Sequence, residues 1–347
     1  MTMPQLRSQR YEVESLHEAI EFYYERGWTD GLPVVPPTEE QVRQFLAAAG
    51  LDPETVLGYQ PTRRRTVIAE KAAINAVMAG CRPDYMPVVA AAIRAVLEDE
   101  FTLHGCGSST AGAAVLLVVN GPIRRQLEMN ALINLFGPGW RANATIGRAV
   151  RLVLINVLGF RPGVLDMGTL GHPGRYTYCI AEDEENSPWE PLHVERGLPA
   201  EASAVTAFAA EPPHQVVNET ANSPEAILDS VATTLRDVGN LSNPAAGQYA
   251  IVIAGQHRSH MARAGCGKRQ VREYLFERAQ VTKEDFERAG KVLPPRLRRS
   301  RKTSFPVVAR PDDFLVIAAG GHAGGYSAVV PPWLGKTSYA VTKPVSM

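Results

Sequence analysis

Apolar and polar positions alternate along this chain with two different periods. "ESLHEAIEFYYERG" (Glu14 to Gly27) places apolar residues at helical spacing and ends on a glycine. The Pro-rich "WTDGLPVVPPT" that follows cannot form regular structure, and its Thr38 caps a second helix whose first turn holds Glu39, Glu40 and Gln41. Further helices are predicted over 69–78, 85–100 and 143–158. "TANSPEAILDSVATTLRDVG" is an amphipathic helix capped by Ser223, with Pro224 at its first position and Gly239 at its end.

Three stretches have a different texture. "AAVLLVVNGP" (113–122), "YAIVIAGQH" (249–257) and "DFLVIAAGGHAG" (313–324) are continuous apolar runs that stop at small or polar residues. Each reads as a strand buried on both faces. Buried strands flanked by helices predict an α/β fold with a mostly parallel sheet and a helical N-terminal region. The expected organisation is a mainly helical 1–110, a first α/β part over 111–211 and a second over 212–347, with a boundary near Glu211-Pro212-Pro213. The two α/β parts can equally form one continuous domain.

Composition narrows the class. The 347 residues are 45% hydrophobic and 21% charged, with 36 basic and 36 acidic side chains. A zero formal charge gives no general pull toward nucleic acid, and the basic run "RLRRSRK" (296–302) reads as a solvated loop. No apolar run is long enough for a membrane span and no signal region opens the chain, so a cytoplasmic location is expected. The four cysteines form no CxxC pair and are expected as free thiols.

Candidate chemistry follows from the rule that ligands in open α/β sheets bind beyond the carboxyl ends of strands. That rule selects Asn120, then His257, then Gly321 and His322 with Ser327 nearby. His257 suits proton exchange near neutral pH, and Lys268 suits an anionic group. The same stretch holds His257, His260 and Cys266, an alternative set of metal ligands without an established zinc spacing. In "GPGWRANATIGRA" (137–149), Arg141 offers a fork for a carboxylate, Asn143 a polar contact or a helix cap, and Trp140 a pocket wall. In "LHGCGSSTAG" (103–112), Cys106 is a candidate nucleophile that precedes its strand, and so belongs to the opposite rim if the strand runs as expected. The acidic run from Glu182 to Glu195 reads as a solvated loop or a subunit contact. No nucleotide-binding motif and no Gly-x-Ser-x-Gly elbow occur.

"GWTDGLPVVPPT", "NGPIR", "GPGWRANATIGRA" and "SPWEPLHVERG" resemble an uncharacterised bacterial family related to, or associated with, proteins that carry a Sec-Gly-Ser-Cys motif. Here the corresponding residues are Cys106-Gly107-Ser108-Ser109, which depart from it at the last position. That departure removes the second thiol of a two-thiol redox mechanism; the resemblance implies an enzyme, and a hetero-oligomeric one, with no established reaction, and a homo- or hetero-oligomer is expected. The combined expectation is an enzyme using acid-base chemistry, thiol-assisted, on a small carboxylate-bearing or amide-like substrate: a lyase, a hydratase or an oxidoreductase. The competing reading is a non-catalytic, small-ligand-binding subunit.

Overall fold

The computed structural model describes residues 5–241, 243–333 and 338–346. Two helices, α1 (Leu16–Glu25) and α2 (Glu39–Ala48), precede a hairpin of β1 (Val56–Gln60) and β2 (Arg65–Ile68). Ser15 and Thr38 cap the two helices, and Thr38 with Gln41 forms a reciprocal capping box. Then come α3 (Ala69–Ala79), α4 (Met86–Val96), the short α5 (Leu103–Ser108), β3 (Ala114–Asn120), α6 (Ile123–Gln126) and α7 (Arg141–Asn156). The middle contains β4 (Cys179–Ala181), α8 (Leu192–Glu195), β5 (Ala204–Ala210), β6 (His214–Val217) and α9 (Pro224–Leu235). The last part runs through β7 (Tyr249–Ile253), α10 (Gly255–Arg263), α11 (Lys268–Arg278), β8 (Gln280–Thr282), α12 (Lys283–Arg288), α13 (Pro295–Arg298), β9 (Ser304–Pro306), β10 (Phe314–Ala318), β11 (Tyr326–Val330) and β12 (Val341–Pro344).

The class is α/β, but the sheets are mixed rather than mostly parallel. One sheet has the order β12-β5-β3-β4 and the other β10-β7-β11-β6. Each contains a single parallel ladder, β3 with β4 and β7 with β10, and is otherwise antiparallel. β5 and β11 each run antiparallel to a central strand of their sheet, β3 and β7, and lie on its far side from β4 and β10 respectively.

Strand periodicity explains why both sheets are buried on both faces. Leu116, Val118 and Phe208 of one sheet pack against Val252, Leu315 and Ile317 of the other. The intervening residues face outward. Leu117, Val119 and Val205 meet α3, α4 and α7, whereas Ile251, Val316 and Val329 meet α9, α10 and α11. The result is four layers: helices, sheet, sheet, helices. The N-terminal helices α3 and α4 therefore form the outer layer of the first sheet.

The two halves are topological counterparts. β3, α7, β4 and β5 correspond to β7, α11, β10 and β11 in order, direction and pairing. Each half then gives its final strand to the other: β6 pairs with β11, and β12 pairs with β5. Glu211-Pro212-Pro213, expected as a boundary, is where the chain crosses between sheets. β12 ties 212–347 to the first sheet, which draws strands from both segments, whereas all four strands of the second sheet lie within 212–347, with β6 its first strand after the crossing.

Leu116 is fully buried in the layer between the sheets. Leu116→Ala is expected to cost about 2–5 kcal/mol of stability through lost burial and a residual cavity. It should lower the urea midpoint and leave the denaturant slope unchanged.

Candidate functional site

The carboxyl ends of β3, β4, β7 and β10 meet, and buried ion pairs and hydrogen bonds join them there. Glu182, one residue past β4, is 1% exposed. Its carboxylate accepts from Asn120 Nδ2 (2.7 Å), Leu192 N (2.7 Å), Ala318 N (3.2 Å) and Lys268 Nζ (3.2 Å). Asp183 pairs with Arg258, and its amide donates to Ala318 O at 2.7 Å. Lys268 also binds Glu195 at 2.9 Å, and Glu195 binds Arg272 at 2.7 Å. Arg124 closes on Glu184 and Glu185, each at 2.9 Å. The acidic run expected to be solvated therefore starts inside the protein, where it neutralises four cations from both halves.

Arg124 and Arg258 occupy matching places. "VVNGPIR" and "VIAGQHR" align strand end for strand end, with the arginine three residues beyond the glycine. Each guanidinium turns back to a carbonyl at its own strand end: Gly121 O at 3.1 Å and Ile253 O at 3.2 Å.

This packing decides where the sequence candidates stand. His257 is fully buried under α10, with Nε2 3.0 Å from Asn218 O and Nδ1 2.8 Å from Ser327 Oγ. A carbonyl can only accept, so Nε2 carries the proton and Nδ1 accepts from the hydroxyl. Burial lowers the His257 pKa, and the ring is a neutral bridge between the helix and β11. Lys268 and Asn120 belong to the ionic network. Gly321 accepts from Gly255 N, and His322 sits half-exposed on the rim, 4.0 Å from Asp183. Asn143 is buried, exchanging bonds with the backbone of Asn130 and donating to Cys179 O. Arg141 is engaged in capping the end of α3, donating to Gly80 O at 3.0 Å. Trp140 precedes α7, and its carbonyl accepts from Ala144 N.

The metal alternative has no geometric basis. His257 is engaged as above, His260 accepts from Arg263 at 2.8 Å, and the Cys266 carbonyl accepts from Trp189 Nε1. No group of three His, Cys, Asp or Glu side chains placed to hold a metal occurs among the described residues. The basic run lies on the excursion between β8 and β9, where Arg296 donates to Ala245 O.

The open recess is at the other end of the first sheet, beside the amino end of β3. It is lined by Cys106 and Gly107 of α5, by Ala113 and Ala114, by Arg151 of α7 and by Arg175. Its enclosed part is about 30 Å³, enough for one water-sized group, within a solvent-open space of about 430 Å³. A Cβ on Gly107 would lie 2.6 Å from the Phe160 ring, so only glycine lets α5 settle here. Gly112 has φ +79°, and a Cβ there would lie 2.9 Å from the backbone of Gly171.

Two guanidiniums set the electrostatics of this recess. Asp166 holds both arginines, with Arg151 Nη2 at 2.9 Å and Arg175 in a shorter contact. Burial alone would raise the Asp166 pKa; the two guanidiniums outweigh it and hold the carboxyl below its usual range. Two cations share this carboxylate, with Asp30 also acting on Arg151 and Glu211 facing the charge of Arg175. Burial pushes the Cys106 thiol up to about 12, with Arg175 acting to lower it. Glu211, next along from Ala210 of β5, is raised by burial to about 7, again with Arg175 opposing. Arg175 is thus the charge that both groups sense. The sequence reading missed Arg151, Asp166, Arg175 and Glu211. An arginine within the apolar "AVRLVLINVLG" of α7 was the available sign.

Comparison with protein-family models, curated proteins and solved structures finds no match to this chain. Among the described residues no helix is long and apolar enough to cross a membrane.

Lys268→Ala strands Glu182 and Glu195 and should cost about 3–5 kcal/mol, measured by chemical denaturation. Glu211 yields a pH signature. Its folded pKa of about 7 lies above the ordinary 4.5, so the native state keeps a proton that the unfolded chain has released. Its stabilising contribution is complete below about pH 4.5 and disappears as pH rises toward 7. Glu211→Gln is expected to flatten that decline in denaturation midpoints collected across the window.

Proposed function

We propose that the chain is a thiol-assisted enzyme acting on a small carboxylate-bearing or amide-like substrate at the Cys106 recess. The carrying observation is the convergence of Cys106, Arg151 and Arg175 on one recess. Arg175 and Arg151 would hold the carboxylate, and the enclosed tip admits one small group beside the thiol. A thiol near 12 is protonated in the resting site, so attack awaits a bound substrate that takes or relays its proton. The family resemblance adds support, since Cys106 stands where the related proteins carry their reactive residue. His257 and Lys268, whose polar atoms are committed to packing and ion pairs, have a structural role in this reading. Four unpaired thiols suit a reducing, cytoplasmic setting.

A non-catalytic ligand-binding subunit of a larger assembly is the second reading. It is favoured by the loop that carries Asp166, where Val164, Met167 and Leu170 are exposed by 76%, 53% and 93%.

A panel of small carboxylates and their amides separates the two. Turnover of any active member is expected to fall at least about 100-fold in Cys106→Ser, at unchanged circular dichroism. Arg175→Gln should chiefly raise KM for carboxylate substrates. An undiminished rate in Cys106→Ser would remove the thiol from the reaction. Arg175-dependent binding without turnover would select the subunit reading.

A further inference from the structure

The turn that follows α7, residues 157–161, gathers positive charge that no acid answers. From the β1–β2 hairpin, Arg65 donates to Val157 O at 3.2 Å, and Arg63 Nη2 lies 3.7 Å from where a Gly159 Cβ would stand. Arg161 closes the turn, with Nη1 3.6 Å from the corresponding point at Gly27. Trp28, the next residue, is tied to the same helix end, its carbonyl accepting from Asn156 Nδ2 at 3.0 Å. Arg26 stands beside it, its guanidinium 4.8 Å from the Phe22 ring, 5.5 Å from Tyr11 and 6.0 Å from Trp28.

Among the described residues, none of these four arginines meets a carboxylate within ion-pair distance. Arg63 and Arg161 are half-buried, and neither guanidinium makes a hydrogen bond. Arg63 Nε is already sealed from solvent, whereas the other guanidinium nitrogens of both residues remain open to it. A cation that has lost part of its water and gained no acceptor is costly. The end of α7 does not compensate for this, since a helix terminus carries only about half an elementary charge.

We infer that this turn binds the diphosphate group of a small ligand, at a site separate from the Cys106 recess and independent of the reaction there. A single carboxylate matches one guanidinium fork, whereas a diphosphate carries enough oxygens and charge for the guanidiniums of Arg63, Arg65 and Arg161 together. Arg26, packed on three rings, adds a fourth positive charge at the edge.

Isothermal titration with inorganic pyrophosphate tests the assignment, in about 0.15 M KCl to screen general attraction between exposed charges. Saturable binding is expected in the wild-type chain. Arg63→Gln and Arg161→Gln should each weaken it at least about tenfold, while Arg175→Gln in the recess leaves it unchanged. Binding of ADP as well marks the diphosphate group as the ligand, and binding of pyrophosphate alone marks the free ion. In phosphate-free buffer Arg161→Gln should keep or raise the urea midpoint, because it removes one of several like charges. A lowered midpoint would assign that guanidinium to the fold and overturn the site. Absence of saturable binding overturns it too, as does loss in Arg175→Gln, which would put the anion in the recess. An equal loss in Arg296→Gln, on the distant basic run, would reduce the effect to general attraction and end the proposal.

Discussion

The Glu182 carboxylate is the contact on which the arrangement turns. It is buried, and its four donors come from β3, β10, α8 and α11, so one side chain joins both sheets and two helices. A carboxylate deprived of water is tolerable only with such complete compensation, and losing one partner leaves a charge with nowhere to go. The same contact explains where the recess lies. Strand carboxyl ends are the usual place for a ligand in α/β proteins. Here that place is filled by Glu182, Asp183, Lys268, Arg124 and Arg258, which hold the halves in register. One open space lies at the amino end of β3, where Cys106 and Gly107 of the short helix α5 line it.

Strand exchange gives this keystone its setting. Because β6 and β12 each complete the other half's sheet, the two sheets cannot separate without breaking ladders at both edges. The apolar layer between them supplies non-directional cohesion, and the ionic cluster at the strand ends supplies geometry. Three phrases of the sequence acquire physical meaning from this division. Asp30 of "GWTDGLP" grips Arg148 at 2.8 Å, Arg124 of "NGPIR" grips the acidic run, and Glu195 of "SPWEPLHVERG" grips Lys268 and Arg272. They are latches between segments distant in sequence.

Long apolar periodicity was legible in the chain, and short or mixed patterns were not. The helices over 69–79, 141–156 and 224–235 and the strands β3, β7 and β10 lie within a few residues of their expected limits. β4 has only three residues, β5 is alanine-rich, and β6 and β12 lie where neither a strong run nor a turn marks them. Their pairing is set by tertiary neighbours, which no local pattern encodes. Sheet direction was misread for the same reason: an apolar run shows that both faces are buried, and a second sheet can bury a face as well as a helix can. The candidate chemistry suffered likewise. His257 and Lys268 stand at strand and helix ends as expected, but what neutralises them comes from residues 39 and 70 or more positions away.

Cys106 was visible because glycines bracket it, whereas its neighbours were not, because Arg151, Asp166 and Arg175 reach it from separate parts of the fold. Burial alone makes Cys106 a poor nucleophile, and that point carries weight: Cys81 and Cys179 are just as buried and are also pushed upward. What sets Cys106 apart is its surroundings. It lines an open recess together with two arginines. An arginine acting on the thiol is not by itself distinctive, because Arg141 and Arg148 act on Cys81 in the same sense as Arg175 on Cys106. Desolvated charge held by a single aspartate is costly to maintain, and its placement beside a small solvent-connected space argues that a ligand, rather than the fold, is its reason.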